Sequence, residues 1–447
     1  MTKPNMANEE VIAKVAKAAK AASRRLLVAS TKLKNQVLFA IANELENRQE
    51  EILAANTEDQ QNAVPLVNNG QMAKSLFDRL KLDKVKLASM IEGVRAVADL
   101  ADPTGQILSR TLLDDGLELH KVSCPLGVLA IIFESRPDAV TQISALALKS
   151  GNAVILKGGR EAANSNAVLV KTIKTALDKF PEIPTDSVSL VADRQQINAL
   201  LSLDAYVDLV IPRGSNELVR YIQTHTRIPV LGHAEGLCHV YVDKKADLEM
   251  ATQIVYDAKV EYPAACNAVE TVLVHKAIAE EFLPKILSKL EQAGVELRGC
   301  ETTQSLIADP LIKKAQAKDW ETEYCAPILS IKVVNSLDEA IDHINTFGSG
   351  HTDSIITEDK ERAEVFLNSV DGAGVYHNAS TRFADGFRYG FGAEIGISTS
   401  KLHARGPVGL EGLVSYKYKL YGSGQIVATY SGANAKHFRH EKLPFIK

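Results

Sequence analysis

The sequence predicts an α/β protein with doubly wound parallel sheets and more than one domain. Apolar runs such as Leu126–Phe133 are continuous rather than alternating, which predicts strands buried on both faces. Segments of helical period separate these runs, and repeated strand–helix units are typical of parallel sheets covered by helices. At 447 residues the chain is also too long for one compact core, so two or three domains are expected.

The first part of the chain precedes this alternation and predicts helices followed by a hairpin. Apolar residues at helical spacing predict helices over 11–26, 33–52 and 84–100. A hairpin over 106–123 follows, because two alternating stretches flank the turn Asp114-Asp115-Gly116.

Strand–helix units then run in two blocks. In the first block the predicted strands are 126–133, 153–156, 188–191 and 207–211. In the second block, after a strand that begins near residue 240, they are 269–274, 328–334 and 354–356. Helical segments separate the strands in both blocks. We expect the boundary between the two α/β domains near residues 229–236.

Composition and charge exclude several classes of protein. The chain has 51 basic and 55 acidic residues and a formal net charge of −4, which favours neither nucleic acid nor an anionic membrane as a partner. It has no apolar run long enough to span a bilayer and no secretory signal at its start. Five widely spaced cysteines predict a reducing, cytoplasmic setting. His233, Cys238 and His239 lack the spacing of a zinc site, so no metal is expected.

Cys266 is the cysteine whose surroundings suit a nucleophile. Pro263 cannot continue a helix, and Ala264 and Ala265 leave room for a group to approach the thiol. A thiol on a tight loop beside a strand attacks acyl carbons when its pKa is lowered or a base assists. On the loop alone, a small buried apolar side chain is the more ordinary alternative.

Two basic glycine turns predict a site for a phosphorylated cofactor. Lys157-Gly158-Gly159-Arg160 and Pro212-Arg213-Gly214-Ser215 each join a predicted strand to a predicted helix. Amides at a helix N-terminus bind phosphate, glycine allows close approach, and basic side chains add charge. Neither turn has the G-x-G-x-x-G spacing of the ordinary dinucleotide site, and the two arginines favour NADP over NAD.

Other polar residues lie where a ligand is expected. Ser135 and Arg136 follow the strand 126–133, at an end that faces the expected crevice, although a helix cap and a surface arginine are equally ordinary roles. Some forty polar, glycine-rich residues from His377 to Glu411 are more typical of a binding surface than of an idle loop.

Seven motifs spread along the chain carry a family resemblance. They are Phe133-Glu134-Ser135-Arg136-Pro137-Asp138, Leu148-Lys149-Ser150-Gly151-Asn152-Ala153, Ile211-Pro212-Arg213-Gly214, Pro263-Ala264-Ala265-Cys266-Asn267-Ala268-Val269-Glu270-Thr271, Gly348-Ser349-Gly350-His351-Thr352, Asn378-Ala379-Ser380-Thr381-Arg382-Phe383 and Gly392–Glu411. Together they resemble the gamma-glutamyl phosphate reductase family of the aldehyde dehydrogenase superfamily. No segment resembles the kinase domain of its bifunctional relatives, so a stand-alone reductase is expected.

The resemblance implies NADPH-dependent reduction of L-glutamyl 5-phosphate to L-glutamate 5-semialdehyde, with release of phosphate, in proline biosynthesis. Cys266 would form a thioester, and its backbone N–H together with Ser135 would stabilise the oxyanion. In relatives that use water, an asparagine occupies the position of Ser135. A glutamate of those relatives is replaced here by a residue near His233. Lys157 and Glu323 match positions that hold the cofactor riboses, and the glycine turns complete the NADP(H) site.

The resemblance also implies substrate contacts, domains and partners. The substrate candidates are Arg136, Asn378, Ser380, Thr381, Arg382 and Arg405, with Arg136 and Arg405 assigned to the phosphate. We expect a cofactor-binding domain over 1–105 and 124–232, a catalytic domain over 233–400, and an oligomerisation flap with the C-terminal segment over 106–123 and 401–447. A homo-oligomer is implied, as is glutamate kinase as a partner, because glutamyl phosphate cyclises readily.

Three alternative functions remain open at this point. A CoA-acylating aldehyde dehydrogenase of the same superfamily would require CoA rather than phosphate. A cysteine acyltransferase or hydrolase would work without a nicotinamide cofactor. A non-catalytic scaffold would tolerate the loss of Cys266.

Overall fold

A computed structural model describes residues 6–191, 195–232, 235–307 and 310–444 of the chain. The chain divides into two compact units. The first unit is bounded by Met1–Gly214, Leu218–Leu231 and Gly409–Lys447, and the second by Ser215–Glu217 and Gly232–Val408. No helix within the described ranges is both long and apolar enough to cross a membrane.

Helices and strands alternate through most of the chain. The helices are α1 Met6–Leu26, α2 Thr31–Asn47, α3 Gln49–Asn68, α4 Lys74–Leu80, α5 Lys84–Asp99, α6 Asp138–Lys149, α7 Ala163–Leu177, α8 Gln195–Leu201, α9 Asn216–His225, α10 Leu248–Val260, α11 Lys276–Gln292, α12 Glu301–Ile307, α13 Leu337–Phe347 and α14 Lys360–Ser369. The strands are β1 Ile107–Asp114, β2 Leu117–Pro125, β3 Val128–Phe133, β4 Ala153–Lys157, β5 Val188–Leu190, β6 Leu209–Arg213, β7 Cys238–Val242, β8 Val269–His275, β9 Glu296–Gly299, β10 Lys313–Lys314, β11 Ile328–Val334, β12 Thr352–Ile356, β13 Gly374–His377, β14 Ile397–Ser398, β15 Gly406–Pro407, β16 Val414–Tyr421 and β17 Glu441–Leu443.

The first unit contains a parallel sheet in the order β5-β4-β3-β6. Every residue of β3 and β4 is buried, because helices cover the sheet and the strands carry apolar side chains on both faces. The α/β class and the parallel sheet are thus confirmed. The carboxyl ends of β3, β4 and β6 carry the segments after Phe133, Lys157 and Arg213 to one edge of this sheet.

The first unit also contains an antiparallel sheet in the order β16-β2-β1-β17. The predicted hairpin forms its centre, with Thr111 opposite Leu119. The edge strand β16 pairs with β2 along its whole length and is exposed after its first residue.

The second unit is built on a parallel sheet in the order β10-β9-β11-β8-β7-β12-β13. Its core is aliphatic, with Val240, Val272 and Leu329 among the buried residues. The pairing of β7 with β8 shifts register between Cys238 and His239. This irregularity lies beside the loop that leads into β8.

One sequence prediction for the helical segment is wrong. The helix expected over 33–52 is two helices, which meet at Arg48 with φ −109° and ψ 21°. The apolar periodicity continued across this break and concealed it. The helix expected over 11–26 lies within α1, whose buried face contains Ile12, Ala16, Ala19, Ala22 and Leu26.

A buried charge network joins the helices of the first unit. Lys34 is fully buried; its Nζ lies 2.6 Å from Asp102 Oδ2 and donates to Thr104 Oγ1 at 2.9 Å and to Lys149 O at 3.1 Å. Lys149 is itself buried and donates to Asn35 Oδ1 and to a backbone carbonyl. Each buried ammonium therefore has the partners that burial requires.

Candidate active site

The Cys266 loop, residues 261–268, joins α10 to β8 at the amino-terminal edge of the sheet in the second unit. Ala265 N donates to Tyr262 O at 3.1 Å, and Ala268 N donates to Ala265 O at 2.9 Å. Cys266 is partly exposed. The loop is the tight turn beside a strand that the sequence predicts.

The segment that enters β7 holds the carbonyl of Cys266. A Cβ added at Gly236 would lie 2.2 Å from that carbonyl oxygen, so a side chain here would displace the loop. The buried Cys238 thiol donates to the same oxygen at 3.3 Å. Burial raises the pKa of Cys238 well above its usual range, which keeps the thiol protonated and able to donate. Cys238 is therefore a partner of the loop.

The polar segment after β13 packs against the same loop. Asn267 Nδ2 donates to Ala384 O at 2.9 Å. Arg382 Nη2 lies 2.6 Å from Glu261 Oε2, and Arg388 contacts the same carboxylate at 3.6 Å. The guanidinium of Arg382 is thus held at the start of the Cys266 loop by an acid that the sequence analysis did not single out.

A buried ion pair closes the base of the loop. Lys259 Nζ lies 2.6 Å from Glu270 Oε2, and both side chains are almost fully buried. The second oxygen of Glu270 accepts from Cys325 N at 3.3 Å. Burial raises the pKa of Glu270 to about 7 and lowers the pKa of Lys259. Glu323, the predicted cofactor residue, lies two positions before Cys325, and Asn216 Nδ2 is 3.4 Å from its carboxylate.

Three substrate candidates occupy the turn after β13. Asn378 has a left-handed φ of 55°, and its amide accepts from Thr357 N at 2.9 Å and donates to Thr357 O at 3.0 Å. Ser380 Oγ accepts from Arg382 N at 3.3 Å. Thr381 is fully buried, and among the described residues its Oγ1 has no hydrogen-bond partner. Asn378 and Ser380 therefore shape the loop.

Arg405 lines a polar cleft of about 450 Å³ in the second unit. Its Nη2 lies 3.1 Å from Asp371 Oδ1, and Lys401 pairs with the same carboxylate. Two cations face one acid here, which leaves positive charge for an anionic group. Ser349, also in this cleft, accepts from Leu237 N at 2.9 Å, next to the residues that hold Cys266.

The glycine turns of the first unit have no room for larger residues. An added Cβ would lie 2.1 Å from Asn166 Nδ2 at Gly158, 1.9 Å from Glu161 Oε1 at Gly159 and 2.6 Å from Glu134 Oε2 at Gly214. Lys157 Nζ donates to the carbonyl of Gly158 at 2.6 Å. Gly214 is exposed and Gly159 partly exposed, whereas Gly158 is buried.

The predicted helix N-terminus beside the first turn is already capped. Asp59, on α3, accepts from Asn164 N at 3.1 Å and from Ser165 N at 2.8 Å at the start of α7. These two amides are thus not directed at a ligand. The turn Arg160–Ala162 before them forms a short 3₁₀ segment, and Arg160 is exposed. Position alone predicted the helix start, but a carboxylate from a distant helix satisfies its donors.

Ser135 and Arg136 follow β3 at the same edge of the first-unit sheet. Ser135 has a left-handed φ of 44°, and both its N–H and its hydroxyl donate to Glu161 Oε1, at 2.6 and 2.8 Å. Within the parts of the chain that the structure describes, no acid lies within ion-pair distance of Arg136. Glu161 is a second acid that sequence analysis missed, because its partner is distant in sequence.

The histidines near the Cys266 loop have structural partners. His239 Nδ1 lies 3.0 Å from Asp353 Oδ1 in a fully buried pair. Across the described ranges, no group of three or more histidine, cysteine, aspartate or glutamate residues has the arrangement of a metal site. His233 lies outside the described residues.

A partly exposed cysteine on a tight loop, a second α/β unit and basic glycine turns on a parallel sheet are features typical of the aldehyde dehydrogenase type. A sequence profile of the aldehyde dehydrogenase family matches residues 1–321 and 303–404. Acetylating aldehyde dehydrogenase from Geobacillus thermoglucosidasius has the same fold, with a TM-score of 0.65 at 16% identity over 95% of this chain and 99% of that one.

Relatives of higher sequence identity show which branch of the aldehyde dehydrogenase family the chain belongs to. The chain is 57% identical to gamma-glutamyl phosphate reductase of Cyanothece sp. over 94% of this chain and 96% of that one, and 54% identical to that of Trichodesmium erythraeum over 98% and 100%. The crystal structure of gamma-glutamyl phosphate reductase from Thermotoga maritima superposes with a TM-score of 0.89 at 42% identity, over 93% of this chain and 99% of that one. The chain belongs to the gamma-glutamyl phosphate reductases of the aldehyde dehydrogenase family, which makes it an oxidoreductase.

Proposed function

We propose that the chain catalyses the NADPH-dependent reduction of L-glutamyl 5-phosphate to L-glutamate 5-semialdehyde, with release of phosphate, in proline biosynthesis. This proposal rests on the partly exposed Cys266 in its tight loop. The chain around it is 57% identical to a gamma-glutamyl phosphate reductase. The cytoplasm is the proposed compartment.

Cys266 acts as the nucleophile in this proposal. Its thiolate attacks the acyl carbon, a C–S bond forms, the bond from that carbon to the phosphate oxygen breaks, and inorganic phosphate leaves. The backbone N–H of Cys266 is the first proposed oxyanion donor. Ser135 is the second, which requires its hydroxyl to turn from Glu161, its partner at 2.8 Å.

NADP(H) is the proposed cofactor, and the restricted glycines at 158, 159 and 214 support its binding. The residues that would hold it are Lys157, Gly158, Gly159, Arg160, Arg213, Gly214, Ser215 and Glu323. When bound, NADPH supplies the hydride that converts the thioester into the semialdehyde. Arg160 and Arg213 would add the positive charge that a 2′-phosphate favours.

Arginines recognise the substrate in this proposal. Arg405, beside Lys401 in the polar cleft, and Arg136 are assigned to the phosphate. Arg382, with Thr381, is assigned to the amino-acid end, where Glu261 also offers a carboxylate to an ammonium group. Asn378 and Ser380 support that end of the site through the turn that they form.

The reverse reaction tests the proposed function. Purified protein, glutamate 5-semialdehyde and NADP are mixed with and without phosphate, and absorbance of the reduced cofactor is followed for wild type and Cys266→Ala. We expect phosphate-dependent reduction that disappears in the variant. Equal reduction without phosphate would contradict acyl-phosphate chemistry, and a requirement for CoA instead of phosphate would identify an acylating enzyme.

A homo-oligomer assembled through the flap and glutamate kinase as a partner complete the proposal. The exposed strand β16 supports the first, because an uncovered edge strand with aromatic side chains is a pairing surface. The tendency of glutamyl phosphate to cyclise supports the second.

A further inference from the structure

We propose that Glu270 is a positioning residue for hydride transfer, because it fixes the Cys266 loop relative to the turn that carries Glu323. The proposal rests on the proposed function, in which Cys266 holds the acyl group and Glu323 contacts the cofactor. The two carboxylate oxygens of the buried Glu270 side chain accept hydrogen bonds from different segments. Oε2 accepts from Lys259 at the base of the Cys266 loop, and Oε1 accepts from Cys325 N in the turn that carries Glu323.

The first bond closes the Cys266 loop. Lys259 lies in the last turn of α10 and Glu270 is the second residue of β8, so their contact at 2.6 Å spans the loop at its base. Each charge is buried and depends on the other, since an unpaired charge here would be strongly unfavourable. The pair therefore defines where the loop begins and ends.

The second bond supports the Glu323 turn. Cys325 has a left-handed φ of 50°, a conformation that costs a residue other than glycine on the order of 1 kcal/mol or more. Its N–H donates to Glu270 Oε1 at 3.3 Å. Tyr324 anchors the same turn from the other side, with its hydroxyl 2.7 Å from Ser330 Oγ and 3.0 Å from Asp319 Oδ1. A turn so constrained presents Glu323 in a fixed place.

Hydride transfer depends on the distance between the two segments that Glu270 links. Acylation of Cys266 needs only the thiol and the acyl phosphate, whereas hydride transfer needs the acyl carbon and the hydride donor roughly 3–3.5 Å apart. The ion pair between Lys259 and Glu270 would by itself be sufficient to close the loop. The bond to Cys325 adds a link between the two segments that hold the reacting partners, which a purely stabilising ion pair would not need.

Two neutral double variants separate the link from the ion pair. Lys259→Met with Glu270→Gln removes both charges but keeps a carbonyl oxygen that accepts from Cys325 N. Lys259→Met with Glu270→Leu removes the charges and the acceptor. Neither leaves a buried unpaired charge, so both should fold. The readout is the rate at which iodoacetamide alkylates Cys266, measured by mass spectrometry of its peptide with and without saturating NADP, beside the Kd for NADP.

We expect NADP to slow alkylation at least fivefold in wild type and in the glutamine double variant, because the bound nicotinamide covers a correctly placed thiol. In the leucine double variant we expect less than twofold protection, with a Kd for NADP within threefold of wild type. Equal protection in the two double variants would overturn the proposal. Absence of protection in wild type would overturn it as well.

Glu270→Asp provides an independent variant. It keeps the charge beside Lys259 and withdraws the carboxylate by one methylene, so we expect protection weaker than in wild type; unchanged protection would contradict the link. None of these measurements uses the substrate. A wild-type protein that is protected by NADP yet inactive with glutamate 5-semialdehyde and phosphate would therefore refute the proposed substrate and leave the positioning role intact.

Discussion

At the scale of single residues, the environment of Cys266 depends on neighbours that carry no chemistry of their own. Gly236 lies against its carbonyl, Cys238 donates to that carbonyl, and Asn267 ties the loop to the segment after β13. The backbone of Cys266 is thus held from two directions. Precise placement matters because a shift of about 1 Å at a reacting group can cost about 100-fold in rate.

Gly236→Ala should lower kcat about 100-fold and lower the free energy of unfolding by about 1–3 kcal/mol, because the added Cβ would lie 2.2 Å from the Cys266 carbonyl oxygen, a backbone atom, and push the loop aside. The measurement is turnover in the reverse assay, with thermal unfolding in parallel. Gly93→Ala is the matched control, since nothing lies within 4 Å of a Cβ there on helix α5. It should keep full activity and gain about 0.5–1 kcal/mol of stability. Normal turnover in Gly236→Ala would show that the Cys266 loop can shift without loss of activity, which would contradict the prediction.

At the scale of secondary-structure elements, buried polar groups fix how helices meet the sheets. Lys34 on α2 reaches Asp102 and the end of α6, and His343 on α13 faces the central strands of the second unit. Such groups contribute more to a unique arrangement than to net stability, because burial of charge offsets most of the attraction. Removing one partner alone is therefore costly.

Lys34→Met should lower the free energy of unfolding by about 3–5 kcal/mol, because it leaves the buried Asp102 carboxylate without its cation. Denaturant unfolding of the first unit measures the loss. The control is Lys81→Met, which breaks an ion pair with Asp78 that is half exposed, and it should cost less than about 1 kcal/mol. Similar losses in both variants would argue against a special role for the buried network.

His343 should make the second unit sensitive to acid. It packs near His239 and Trp320, and Lys332 Nζ lies 3.1 Å from its Nδ1. Burial, assisted by His239 and Lys332, lowers the pKa of His343 to about 3. The unfolded chain binds a proton at this residue below about pH 6.5 while the folded chain does not, so stability falls as pH falls through that range.

The expected loss from this one residue is about 2 kcal/mol between pH 7 and pH 5. Denaturation midpoints of wild type and His343→Gln across that range measure it; the glutamine oxygen still accepts from Lys332 but does not titrate. The pH dependence of the variant should be smaller by this amount. If the stabilities of the two proteins changed equally with pH, His343 would be protonated in the folded state as it is in the unfolded chain, which would contradict the prediction.

At the scale of the whole molecule, the antiparallel sheet of the first unit ends in the edge strand β16, which the described residues leave exposed after Val414. Tyr416, Tyr418 and Leu420 on β16 are each about half exposed or more. Side chains at alternate positions of a strand share one face, so these three form an apolar stripe. A stripe of this kind on an edge strand is a surface for association.

Tyr418→Asp should shift the protein from an oligomer toward the 48.5 kDa monomer, because a carboxylate in that stripe opposes burial. Light scattering after size exclusion measures the mass. Val85→Asp, at an exposed apolar position on α5, is the control and should leave the mass unchanged. A monomeric wild type would contradict assembly through β16.

The sequence by itself determined the α/β class, the four strands of the first parallel sheet, four of the seven strands of the second, the hairpin, and Cys266 on a tight loop; it missed β9, β10 and β13. These features are local: apolar periodicity and turn residues are read from neighbouring positions, and a buried strand such as β3 has to be apolar throughout. The motifs indicated the family, because seven matches occur in order between Phe133 and Glu411.

Only the tertiary structure decided which distant groups meet. Glu261 with Arg382, Lys259 with Glu270 and Cys325, and Ser135 with Glu161 are contacts between segments that no local pattern connects. The cap that Asp59 provides for α7 was hidden for the same reason. Hydrogen bonds and ion pairs act over a few ångströms in space, so their partners become apparent only when the chain has brought them together.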